Sequence, residues 1–101
     1  MPYRKTRTLK LSSLAKNDLS DIAQYIFTHY GERQVDIYLQ ALYDGMELLT
    51  ENPDIGHRRN DLPEGYKSLV VEKHVLIFTA QSASIIIARI LYKGRDMQRH
   101  L

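Results

Sequence analysis

The sequence predicts a single α+β domain of order β-α-α-β-β-β, in which a helical hairpin packs on a mainly antiparallel four-stranded sheet. Two long segments of helical period stand almost back to back, separated by Gly31. Three strand-like runs then follow one another in the C-terminal part, joined by turns short enough to demand hairpins. An alternating segment ahead of the helices supplies the fourth strand.

That first segment, Thr6 to Leu11, sets Leu9 and Leu11 on one face and Thr8 and Lys10 on the other. Ser12 or Ser13 can cap the helix that follows. Along it Ala15, Leu19, Ile22, Ala23, Ile26 and Tyr30 recur at spacings of three and four, which makes one apolar stripe ending at the C-cap residue Gly31. The second helix carries Val35, Tyr38, Leu39, Leu42, Met46 and Leu49 on its inner face and stops at Asn52-Pro53. So short a joint makes the pair antiparallel. Gly45 inside the second helix costs about 1 kcal/mol relative to alanine, which close packing against another element would explain. Residues 53–65, rich in Pro, Gly, Asp, Asn and Arg, read as a loop. The three strands that follow are expected at Tyr66 to Val71, Lys73 to Thr79 and Ser84 to Tyr92, with turns near Glu72-Lys73 and Gln81 to Ala83.

A chain of 101 residues, 44% of them hydrophobic, can build one modest core and not two. It has no cysteine, which excludes a disulfide-stapled secreted scaffold and fits a reducing cytoplasm. No apolar run approaches the roughly 20 residues of a membrane span, and no apolar region follows the basic start as in an export signal. A soluble, cytoplasmic protein is expected. The net charge of +2 is too small to announce direct nucleic-acid binding, but its distribution is uneven. Acidic residues crowd the middle, and both ends are basic: Arg4, Lys5, Arg7 and Lys10 at the start, Lys93, Arg95 and Arg99 at the finish.

The final strand, reading IIIARILY over 85–92, interrupts an intensely apolar run with Arg89, expected between Ile87 and Leu91 on one strand face. A guanidinium there must be paired or used. A helix carboxylate is the expected partner. The basic segment behind it suggests a sheet end that presents charge to an acidic partner.

The residues also form a recognisable series. The second helix leads into Leu49-Thr50-Glu51-Asn52-Pro53-Asp54-Ile55-Gly56, the next strand opens at Glu64-Gly65-Tyr66-Lys67-Ser68, and the third carries His74-Val75-Leu76-Ile77-Phe78. The last is Arg89-Ile90-Leu91, with Asp96 and Arg99-His100-Leu101 behind it. With Ala15, Asp18-Leu19, Ile22, Tyr25-Ile26 and Gly31 of the first helix, the chain resembles the ParE branch of the RelE/ParE toxin superfamily along nearly its whole length.

The resemblance implies a growth-inhibiting toxin of a type II toxin–antitoxin pair, neutralised by a ParD-like antitoxin in a hetero-oligomer and poisoning DNA gyrase without a cofactor. RelE-like relatives instead cut mRNA on the ribosome, and an intact fold can also outlive its toxicity as an antitoxin-binding subunit. Fold alone does not choose among these. The residues expected to meet the target are Arg58, Arg59, Lys67, Arg89, Tyr92, Lys93, Arg95 and Arg99. RNA cleavage would need proton carriers beside cations, for which His57, His74, Arg89 and Tyr92 are the candidates, with Glu47 and His100 as further proton carriers. No RelE-type motif assembles them, and Tyr92 stands where many ParE relatives have histidine, so a gyrase-directed, non-enzymatic toxin is the favoured expectation. The histidines at 29, 57, 74 and 100 show no metal-ligand spacing, and no metal is expected.

Overall fold

The computed structural model describes residues 6–94, so Arg4, Lys5, Arg95, Asp96, Arg99 and His100 lie outside the described residues. Strand β1 (Thr8–Leu11) is followed by helices α1 (Ser13–Tyr30) and α2 (Glu32–Glu51), a 3-10 turn at Pro53–Ile55, and strands β2 (Tyr66–Val71), β3 (His74–Ala80) and β4 (Ser84–Tyr92). The sheet runs β1-β4-β3-β2. The β2–β3 and β3–β4 pairs are antiparallel, and β1 joins β4 in parallel with Thr8 opposite Ser84. The most apolar strand is thus an inner one, where both its edges are paired, and the four-residue β1 takes the edge position.

Local chemistry sets the helix ends. Ser12 accepts the Ala15 N–H at 3.0 Å as N-cap, and its hydroxyl also donates to the Ala88 carbonyl at 2.7 Å, fastening the start of α1 to β4. Gly31 turns the chain between the helices at φ 93°, a conformation that a β-carbon would strain. The apolar stripes of both helices meet the sheet: Ala15, Ile22, Ile26, Leu42, Met46 and Leu49 pack with Leu76, Phe78, Ile85, Ile87 and Ile90. Tyr30, expected on this stripe, is 66% exposed because it is the last residue of α1 and has passed the packed region. A smaller cluster of Val75, Ile77 and Leu91 with Leu62 forms separately.

Two glycines are fixed by close approach. A β-carbon on Gly45 would stand 2.7 Å from Val71 Cγ2, so α2 lies on β2 with no room for a side chain, as its helix-interior position implied. At Gly56 a β-carbon would run into the Phe78 ring, 2.7 Å from Cε1, and Phe78 is wholly buried. Gly56→Ala is expected to cost about 1–3 kcal/mol through overpacking. The check is a lowered urea midpoint with an unchanged slope. An unaltered midpoint would mean that the segment withdraws freely from the ring.

The expected strand face of Arg89 is corrected by a β-bulge. Ile77 pairs with Arg89 but Phe78 with Ile87, so Ala88 is an extra residue on β4. One added residue reverses the alternation. Ile87 accordingly joins the helix-side cluster and Leu91 the other, and the two do not share a face with Arg89 between them. Strand β1 also begins two residues later than expected, and β3 is displaced by one.

Candidate functional site

Where β4 runs on past the end of β1, side chains of α1 take over the edge. The Ser12 N–H bonds to the Ile87 carbonyl at 3.0 Å, and beyond it Asp18 reaches the strand. Its Oδ2 accepts from the Ile90 N–H at 2.9 Å and from Arg89 Nε at 2.8 Å, and its Oδ1 accepts from Arg89 Nη2 at 2.9 Å. The helix carboxylate expected for Arg89 is therefore Asp18. Its hydrogen bond, opposed by partial burial, raises the guanidinium's already high pKa further.

Next to this pair lies a cluster at the turn end of the β2–β3 hairpin. His74 and Tyr92 are directly opposed on β3 and β4, their rings edge to face at 5.6 Å. Tyr38 of α2 sets its ring edge to face with His74 at 5.4 Å, and its hydroxyl lies 2.6 Å from His74 Nδ1. The same hydroxyl accepts the Lys73 N–H at 3.0 Å. A phenol oxygen can accept from Lys73 and still donate its own proton, so the Tyr38 hydroxyl joins the turn amide and the imidazole through one atom. Burial lowers the His74 pKa, and Asp18 only partly opposes this; burial likewise raises Tyr38. His74, held by this hydrogen bond, sits on an inner strand of the sheet.

A depressed histidine pKa makes stability depend on pH with a definite sign. The contribution is complete above the unfolded value of 6.5 and is lost as pH falls through the lower folded value. The melting temperature is therefore expected to decline as pH falls from about 6.5 through the lower folded value, and His74→Gln to flatten the decline. Parallel profiles for the two proteins would refute it.

The other candidates stand elsewhere. His57 makes a bridge with Ser68 on the outer side of β2, exchanging backbone hydrogen bonds of 2.8 Å. Ser68 pairs with Ile77, three residues along β3 from His74. The two histidines are therefore about 10 Å apart along the strands and two strand spacings across. Arg58 and Lys67 line a shallow depression of about 230 Å³ with Tyr66 at the start of β2, the end of the sheet opposite Tyr92 and Lys93. Lys67 lies 3.9 Å from Asp54, and Arg59 makes a two-pronged, half-exposed pair with Asp61 at 2.8 Å. Among the described residues, the expected cations Arg58 and Lys67 thus lie at one end of the sheet and Lys93 at the other. At the Tyr92 end, Lys93 donates its N–H to the Lys73 carbonyl at 2.8 Å, which places the backbones of two exposed lysines side by side. Sequence reasoning missed Tyr38, whose helical spacing read as core, and Lys73, which read as a turn.

A second feature lies along β1. Leu9, Lys10, Leu11, Lys16, Leu19 and Tyr43 line an open groove of about 730 Å³ between the edge strand and the helices. Among the described residues, no three His, Cys, Asp or Glu side chains group as a metal site, and no helix is long and apolar enough to cross a membrane.

Solved structures share this architecture. A chain of the chromosomal ParDE toxin–antitoxin system of P. aeruginosa superposes with a TM-score of 0.75 at 21% identity, covering 86% of this chain and 96% of that one. A chain of the toxin–antitoxin complex RelBE2 of Mycobacterium tuberculosis gives 0.65 at 16% identity, covering 94% and 100%. The fold is thus one found in toxin–antitoxin assemblies. Sequence narrows the class: residues 9–97 match the model of the ParE toxin of the type II toxin–antitoxin system parDE, and the chain belongs to that family. It is 31% identical to Toxin ParE1 of Caulobacter vibrioides over 100 residues, 99% of this chain and 97% of that toxin. It is 27% identical to Toxin ParE1 of Mycobacterium tuberculosis over 92 residues, 90% and 94% of the two chains.

Proposed function

We propose that this ParE-family toxin inhibits growth by binding DNA gyrase and trapping it on cleaved DNA, with no catalytic step of its own. The observation that carries this reading is the dispersal of the proton carriers. RNA cleavage through a 2′-hydroxyl needs a base, an acid and cations within hydrogen-bond reach of one phosphate. Among the described residues, His57 is on the far side of β2 from His74, Arg89 is engaged by Asp18, and His74 Nδ1 is occupied by Tyr38. Tyr92, 55% exposed beside Lys93 and Lys73, suits a contact surface better than a reaction centre.

In this reading Tyr92, Lys93 and the basic residues Arg95 and Arg99 meet gyrase, with Arg58, Arg59 and Lys67 as a separate contact at the opposite end. A ParD-like antitoxin holds the toxin inactive by covering the groove along β1, where an added strand or helix would bury Leu9, Leu19 and Tyr43. The test adds the purified protein to gyrase supercoiling and cleavage-complex assays and, in parallel, to a reconstituted translation reaction scored for mRNA cuts. Trapped cleavage complexes with intact mRNA are expected. Ribosome-dependent cuts without gyrase trapping would replace this reading with nuclease action, and inactivity in both assays would leave an antitoxin-binding subunit.

A further inference from the structure

We propose that Tyr38 is the positioning residue of the target-binding end: its hydroxyl ties helix α2 to the β2–β3 turn and to His74, and through His74 it fixes the Tyr92 ring. The inference rests on the assignment of Tyr92 and Lys93 to the target surface.

The geometry makes one hydroxyl the junction of three elements. It receives the Lys73 N–H from the turn and shares a 2.6 Å hydrogen bond with His74 Nδ1 on β3. Lys73 in turn accepts the Lys93 N–H through its carbonyl, so the end of β4 hangs on the same turn. His74 faces Tyr92 edge-on across the strand pair, and Tyr38 packs edge-on against His74 from the helix side. Val71 contributes from below, pressed against the bare backbone of Gly45, which keeps the turn and α2 at a fixed separation. Exposed residues at a strand end ordinarily sample several rotamers, and a contact surface that must be ordered on binding loses affinity for it. A ring held against His74 has less freedom to lose.

The charged and titratable groups around His74 among the described residues come from each neighbouring element. They are Tyr38 on α2, Asp18 on α1 with its partner Arg89, Tyr92 on β4, and Glu72 and Lys73 in the turn. Only Tyr38 hydrogen-bonds to the ring. Removing its hydroxyl withdraws that bond, so the titration of the histidine should change.

The test compares the wild-type chain with Tyr38→Phe, which keeps the ring and its packing, and with Tyr25→Phe on exposed α1 as a control. Three readouts are taken: the His74 titration by NMR, hydrogen exchange at the Lys73 amide, and growth inhibition on induced expression, with gyrase trapping measured alongside. In Tyr38→Phe the His74 titration is expected to shift, Lys73 exchange to quicken by about tenfold or more, and the dose for growth inhibition to increase at least about fivefold. Tyr25→Phe is expected to match the wild type. Undiminished growth inhibition by Tyr38→Phe would overturn the inference, as would unchanged His74 titration and Lys73 exchange. Growth inhibition that weakens in Tyr38→Phe, in a wild type that never traps gyrase, would sustain the positioning role and remove gyrase as the target.

Discussion

Replacing Lys93, Arg95 and Arg99 together with glutamine is expected to abolish growth inhibition and gyrase trapping while folding and antitoxin binding persist. The sequence from Tyr92 onward carries these three cations and one acid, Asp96, and Tyr92, where β4 ends, is exposed. A net positive charge in such a segment steers an acidic partner and helps to orient it, so its loss acts chiefly on association. The wild-type effect should therefore weaken with salt as the Debye length contracts from about 10 Å at 0.1 M to about 3 Å at 1 M. Among the described residues the groove along β1 is lined by Leu9, Lys10, Leu11, Lys16, Leu19 and Tyr43, all unchanged in the triple variant, so antitoxin binding should survive. A triple variant that stays toxic would sink the idea. Loss of toxicity and of mRNA cleavage on changing His74 or Tyr92 alone would put acid/base chemistry in its place.

The second large effect concerns stability. The Asp18 and Arg89 side chains are only 12% and 16% exposed, and Asp18 also satisfies the Ile90 N–H. Asp18→Ala would leave a guanidinium and a backbone donor without their shared acceptor, at a cost of about 3 kcal/mol or more. Arg89→Ala strands the carboxylate instead, with a comparable loss. Domains of this size hold about 5–15 kcal/mol in total, so either change removes a large share. Chemical denaturation measures it directly. The double variant Asp18→Leu/Arg89→Met should recover much of the loss, since removing both charges avoids leaving one unpaired. Single variants within about 0.5 kcal/mol of the wild type would show that water takes over the role of the missing partner.

Much of the fold was legible because its signals are local. Ser12 as cap, Gly31 as the joint, the Asn52-Pro53 stop, and the bounds of β2 and β4 each follow from neighbours in the chain, and the structure places them as read. Gly45 declared a close approach without naming Val71 as the neighbour. The site was less legible. Tyr38 carries the same spacing as Leu39 and Leu42, so periodicity files it with the core, and only its hydroxyl's two partners reveal another role. The basic residues looked like one population because sequence gives their number and not their position on the sheet.

By itself the sequence determined the number, kind and order of the elements, the hairpin connections, the need for a partner at Arg89, and the likeness to ParE toxins. The tertiary structure alone decided that β1 pairs with β4, that Ala88 bulges and turns the strand over, and that Asp18 is the carboxylate 71 residues from Arg89. It also parted His57 from His74 and joined His74 to Tyr38. The reason is physical. Helix and strand periods repeat within a few residues and are written in the local pattern, whereas a contact across the sheet depends on register. One inserted residue exchanges the two faces of a strand, and in the run IIIARIL either alternation buries enough apolar surface for the local pattern to be indifferent.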